Sequence, residues 1–95
     1  MRKAYIFAYN EKFGDRVNVK KALDAIPQIL NYRADLIPNV FYLVSEHEAQ
    51  ALSDAIKAKF PQECAFIISE CTNNKQGYLT QEAWNILNNA PLAGA

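Results

Sequence analysis

The sequence has no excess of charge, little cysteine or histidine and no long apolar run, and each shortage removes a class of function. Ten basic and ten acidic residues cancel to a net charge of zero. A protein that grips phosphate backbones without regard to sequence carries a basic surplus, so tight non-specific nucleic-acid binding is disfavoured and only a local patch is left for it. Nothing approaches the run of about eighteen apolar residues that marks a membrane-crossing helix. No positively charged segment leads into an apolar one, so no secretion signal is expected and a cytoplasmic setting is. The two cysteines, Cys64 and Cys71, stand an odd number of residues apart in one extended region. That spacing points them to opposite faces, which argues against an intrachain disulfide and for reduced, buried thiols. There is no metal-spaced cysteine set, no glycine-rich phosphate loop and no internal repeat. The one histidine, His47, has no visible nucleophile partner and reads as a solvent-facing residue of a first helical turn.

What is present describes one small folded unit. Of 95 residues, 51% are hydrophobic and 21% charged, which suits a globular chain with a single core rather than a disordered one. Residues 1–90 are expected to form that domain, and 91–95 a flexible tail.

The stretch Lys3 to Tyr9 is strand-forming on both faces, with Ala4, Ile6 and Ala8 on one and Tyr5, Phe7 and Tyr9 on the other. Such a strand belongs in the middle of a sheet. After a polar stretch containing Gly14, Val19, Leu23, Ile26 and Leu30 fall at helical spacing, and Pro27 ends the helix near Ile26 to Gln28. From Leu30 the period drops to two, and Leu30, Tyr32, Ala34 and Leu36 alternate with polar residues as in an edge strand. Pro38 and Asn39 supply a turn into "VFYLV", with Leu36 expected opposite Phe41 and Ala34 opposite Leu43. Ser45 and Glu48 match a capping box ahead of a helix bearing Ala49, Leu52, Ile56 and Phe60 and stopping at Pro61. "CAFIIS" reads as a fourth strand, and Thr80 caps a last helix, "QEAWNILNN". The order predicts an α+β, ferredoxin-like βαββαβ antiparallel sheet with two helices on one face and an extra C-terminal helix.

The small residues of the first strand suit close helix approach, so the expectation places Ala4, Ile6 and Ala8 beneath the two main helices. Tyr5, Phe7, Tyr9 and Tyr42 then form an aromatic band on the reverse face. That band, with Trp84, is the expected binding or dimer surface. A homodimer packed sheet to sheet would cover it, as would a folded-back terminal helix or single-stranded RNA stacked on the rings. Lys12, Arg16, Lys20 and Lys21 make the best phosphate-contact group on the chain, diluted by Glu11, Asp15 and Asp24.

The first strand ending in Tyr9-Asn10, the aromatic hairpin, and above all the closing "GYLTQEAWNIL" resemble the small proteins called SinR-like. These are relatives by fold of the second CRISPR-associated adaptation protein and of virulence-associated protein D. The resemblance spans about residues 3 to 88. It implies a homodimer and a link to host defence or mobile elements. In the nuclease members it implies an aspartate at the end of the first strand that holds a divalent metal at the dimer axis. The matching position here is Asn10, whose neutral amide is a far weaker ligand than a carboxylate. The expectation is therefore a dimeric interaction protein without catalysis, metal or cofactor, with a protein partner admitted. The alternatives are a metal-dependent nuclease that recruits Glu11 or Asp15 beside Asn10, and a single-stranded RNA-binding module.

Overall fold

Both faces of the first strand are apolar, and the fold uses both. In the computed structural model, which describes residues 1–93, β1 is Lys3–Tyr9, α1 Arg16–Asp24, β2 Asn31–Ala34, β3 Val40–Ser45, α2 Ala49–Lys57, β4 Phe66–Glu70 and α3 Gln81–Asn89. The strands form one antiparallel sheet ordered β2-β3-β1-β4. This is the expected ferredoxin-like arrangement, with β1 and β3 central and a C-terminal helix added.

The register between the central strands assigns the faces. Tyr5 lies opposite Leu43 and Phe7 opposite Phe41, and residues directly opposite one another share a face. The odd-numbered side chains of β1 therefore join Phe41 and Leu43 beneath Val19 and Leu23 of α1 and Leu52 and Ile56 of α2. This reverses the expected assignment. Tyr5, Phe7 and Tyr9 are the main core, and the small Ala4 packs instead with Tyr42 and Val44 against Ala83, Ile86 and Leu87 of α3. The aromatic band does not exist as one surface, because Tyr42 and Tyr5 stand on opposite sides of the sheet.

The main core is aromatic. A 3-10 turn at Glu11–Phe13 tucks Phe13 between Phe60, at 4.3 Å between ring centroids, and Phe7, at 5.6 Å. Gly14 follows at φ +87°, a backbone angle that glycine adopts without strain. Burial of each such ring is worth about 1.5–3 kcal/mol, so a charge at Phe7 would unfold the domain rather than part a dimer.

Three other expectations change. β2 pairs with β3 two residues out of the expected register, Ala34 opposite Phe41 and Tyr32 opposite Leu43. The faces survive because the side-chain period is two, but Asp35 to Asn39 form a longer loop, in which the Arg16 guanidinium donates to the carbonyls of Asp35 and Ile37 at 2.7 and 3.2 Å. Ser45 is not a helix cap. It ends β3, buried, donating to the Gln28 carbonyl at 2.6 Å and accepting from the His47 amide at 3.0 Å. That local serine turn uses up the hydroxyl, and Glu48, at the N-cap of α2, pairs with Lys3 instead of capping. Finally, α2 ends at Lys57 rather than at Pro61, leaving Phe60 beyond it to pack on the core.

The terminal helix matches its expected bounds. Thr80 accepts from the Ala83 amide at 3.3 Å and donates to the Asp35 carboxylate, tying the start of α3 to the hairpin loop. At its far end, Arg2 donates to the Ala90 carbonyl at 2.8 Å and Asn31 to that of Pro91 at 3.1 Å. The expected tail is thus anchored at Pro91, and its last residues, 94 and 95, lie outside the described residues. Cys64 packs toward the α1 and α2 side and Cys71 toward α3, both half-buried and free.

Candidate functional site

The end of β1 does not assemble the site that a nuclease would need. Asn10 gives its side-chain amide to the Glu63 carbonyl at 3.2 Å. Asp15 is the N-cap of α1, its carboxylate accepting from the Asn18 amide at 2.9 Å. Glu11 lies exposed in the 3-10 turn. The three are not drawn together, and no group of three or more potential metal ligands exists among the described residues. Just before them, burial pushes the Tyr9 hydroxyl above its ordinary pKa, with the Arg16 guanidinium acting in the opposite sense.

The basic group is similarly divided. Arg16 is engaged with the hairpin loop, whereas Lys12, Lys20 and Lys21 are exposed. His47 donates its backbone amide to Ser45, and its carbonyl accepts from the Tyr5 hydroxyl at 2.6 Å. Its exposed side chain precedes α2 rather than standing within it.

Two surfaces that the sequence reading did not single out are better formed. The first is the β4 edge of the sheet, the opposite edge being β2. β4 pairs with β1 on one side only, leaving a row of backbone groups without a neighbouring strand, and Ile67, its second residue, is 66% exposed. Phe66 and Ile68, half-buried, turn the other way, onto the main core. Beside the strand an open groove of about 480 Å³ runs toward α2, lined by Gln50, Ser53 and Lys57 as well as by Cys64, Phe66 and Ile68. A second hollow of about 510 Å³ continues it over Phe13, Phe60 and Pro61. An uninterrupted apolar run of "CAFII" was the available signal, but a run apolar on both faces reads as a buried strand, not as an edge.

The second surface is a cavity of about 210 Å³ between α3, the reverse face of the sheet and the segment Lys75–Leu79. Tyr42 and Trp84 both line it. Of the expected interface set, Tyr42 faces α3 and Trp84 stands on it, and the two pack together within one chain. Tyr42 is only 2% exposed, and its hydroxyl has no hydrogen-bond partner among the described residues. Burial, then the nearby Asp35 carboxylate, push that hydroxyl above its ordinary pKa, so it is neutral.

Comparison with family models, with curated proteins and with solved structures finds no match.

Proposed function

We propose that this chain acts by binding rather than by catalysis, as a homodimer joined through the free edge of β4. One observation carries the reading: β4 is a five-residue edge strand with no proline, an exposed isoleucine at its second position and an open groove alongside. Folded proteins guard such edges with charges, prolines, bulges or a covering element, because unpaired backbone groups recruit another strand. Here the exposed residue is Ile67, and the one carboxylate, Glu70, stands at the strand's end. Antiparallel pairing of β4 with its own copy is self-complementary, as a two-fold interface requires. It would satisfy the open backbone row and cover Ile67 in a single step.

The engagement of Asn10, Asp15 and Arg16 in local hydrogen bonds supports binding over a metal-dependent nuclease. The placement of Tyr5, Phe7 and Tyr9 in the core removes the stacking platform of an RNA module. The likeness of Gly77 to Leu87 to SinR-like small proteins, a cytoplasmic setting, a link to host defence or mobile elements and a further protein partner belong to the same proposal. No helix among the described residues is long and apolar enough to cross a membrane.

Sedimentation equilibrium tests the dimer. The chain is expected to run near twice its 10.7 kDa mass, and Ile67→Lys to run as a folded monomer with unchanged circular dichroism. A wild-type chain that is monomeric at tens of micromolar overturns the reading.

A further inference from the structure

We infer that the cavity beneath α3 is a binding site for a compact, uncharged aromatic molecule carrying one hydroxyl or N–H group. The lining dictates the class. Ile6 and Val40 form its floor on the sheet, and Leu79, Trp84 and Leu87 its walls. Such a surface returns little to a charged ligand for the water that ligand would lose. The indole of Trp84 adds an aromatic face suited to an offset or edge-on ring. Size limits the ligand further: a cavity of about 150 Å³ admits benzene, so 210 Å³ has room for one ring with a substituent or for a small fused pair.

The polar requirement comes from Tyr42. A buried hydroxyl without a partner is uncommon, because leaving it unmade forfeits its hydration. The Tyr5 and Tyr32 hydroxyls have partners, the His47 carbonyl and the Asp24 carboxylate; that of Tyr9, like that of Tyr42, has none among the described residues, but Tyr9 does not line this cavity. Tyr42 lines the cavity, and as a neutral phenol it can both donate and accept. The hydroxyl oxygen is closed off in the ligand-free fold, so a ligand hydroxyl or N–H would supply the missing bond as the ring yields by a small shift. Lys75, which also lines the cavity, gives its ammonium to the Thr72 carbonyl at 2.8 Å and so is already engaged. The segment over the opening includes Gly77, where an added Cβ would meet nothing within 4 Å, and Tyr78, which is 89% exposed. The entrance is therefore not sealed by packed side chains. This inference stands apart from the β4 edge and needs no second copy.

Trp84 is the single tryptophan of the chain, so its indole N–H resonance reports on the cavity wall. The full-length ¹⁵N-labelled protein would be titrated with phenol, indole and toluene. Phenol and indole are expected to shift the Trp84 resonance saturably, and toluene to bind about fivefold more weakly than phenol for want of one hydrogen bond. Tyr42→Phe, which removes no hydrogen bond within the fold, should bind phenol and toluene alike. Leu79→Phe, which fills the cavity, should abolish the shifts. The inference fails if no probe gives a saturable shift, if phenol keeps its advantage in Tyr42→Phe, or if the filled variant binds as the wild type does.

Discussion

Single residues in this protein are decided by where their polar atoms go. Tyr5 and Tyr42 are both buried, large and central, yet the Tyr5 hydroxyl donates to the His47 carbonyl at 2.6 Å while that of Tyr42 has no partner among the described residues. Removing the two hydroxyls should therefore have unequal effects. Tyr5→Phe is expected to cost about 1 kcal/mol, the usual net value of a hydrogen bond whose acceptor is then left wanting. Tyr42→Phe should be neutral or stabilising, since the hydroxyl it deletes earns nothing in the empty fold. Urea unfolding of the pair checks this, and an equal loss at both positions would mean that Tyr42 has a partner after all. Neither outcome was legible in the sequence, where both residues appear simply as strand tyrosines.

Elements show how far local rules reach. The last helix was legible to its bounds because its signals are contiguous: Thr80 as cap, then an apolar stripe at helical spacing. The helix after β3 was not, because Ser45 has two local uses and the strand pairing with Lys3 holds it in the extended one. For α1, Asp15 stands at the head of the apolar pattern as its N-cap, a role that the neighbouring charges Glu11 and Arg16 obscure in the sequence. Thr80→Ala and Asp15→Ala should each lower stability by about 1 kcal/mol as true caps. Glu48→Ala should lose less than either, since it gives up only an exposed pair with Lys3. Thermal melts of the three variants rank them, and a larger loss at Glu48 would contradict the assignment of its helix end.

At the scale of the whole molecule, the tyrosines couple the fold to alkaline pH. The Tyr32 hydroxyl donates to the Asp24 carboxylate at 2.5 Å, and burial first, then that bond and the carboxylate's charge, push its pKa up to about 12. Tyr5, Tyr9 and Tyr42 are shifted the same way, burial being the largest cause for each. A raised folded-state pKa means that the fold favours the neutral phenol. Its contribution is complete below the ordinary tyrosine pKa of 10 and is lost as pH climbs from there through about 12, because the unfolded chain releases its protons first. Stability should fall across that window, and Tyr32→Phe should flatten the fall. Denaturant midpoints against pH, read beside phenolate absorbance, test it; a midpoint unchanged over the window would contradict the shifts.

What the sequence determined by itself was the order of the elements, the placing of β1 and β3 at the centre of the sheet, and the side of β3 on which Phe41 and Leu43 meet the two main helices. These follow from periodicity and from the handedness of crossovers, both local or generic. It could not say which face of β1 meets which helix. Tyr5, Phe7 and Tyr9 alternate with Ala4, Ile6 and Ala8, so the period defines two apolar faces but labels neither. The register of β1 on β3 supplies the label, and that register joins residues about forty positions apart. The tertiary structure alone also decided that α3 closes the reverse face, anchored by Asp35, Arg2 and Asn31. That closure leaves a cavity beside an unpartnered hydroxyl, which arises only where distant segments meet.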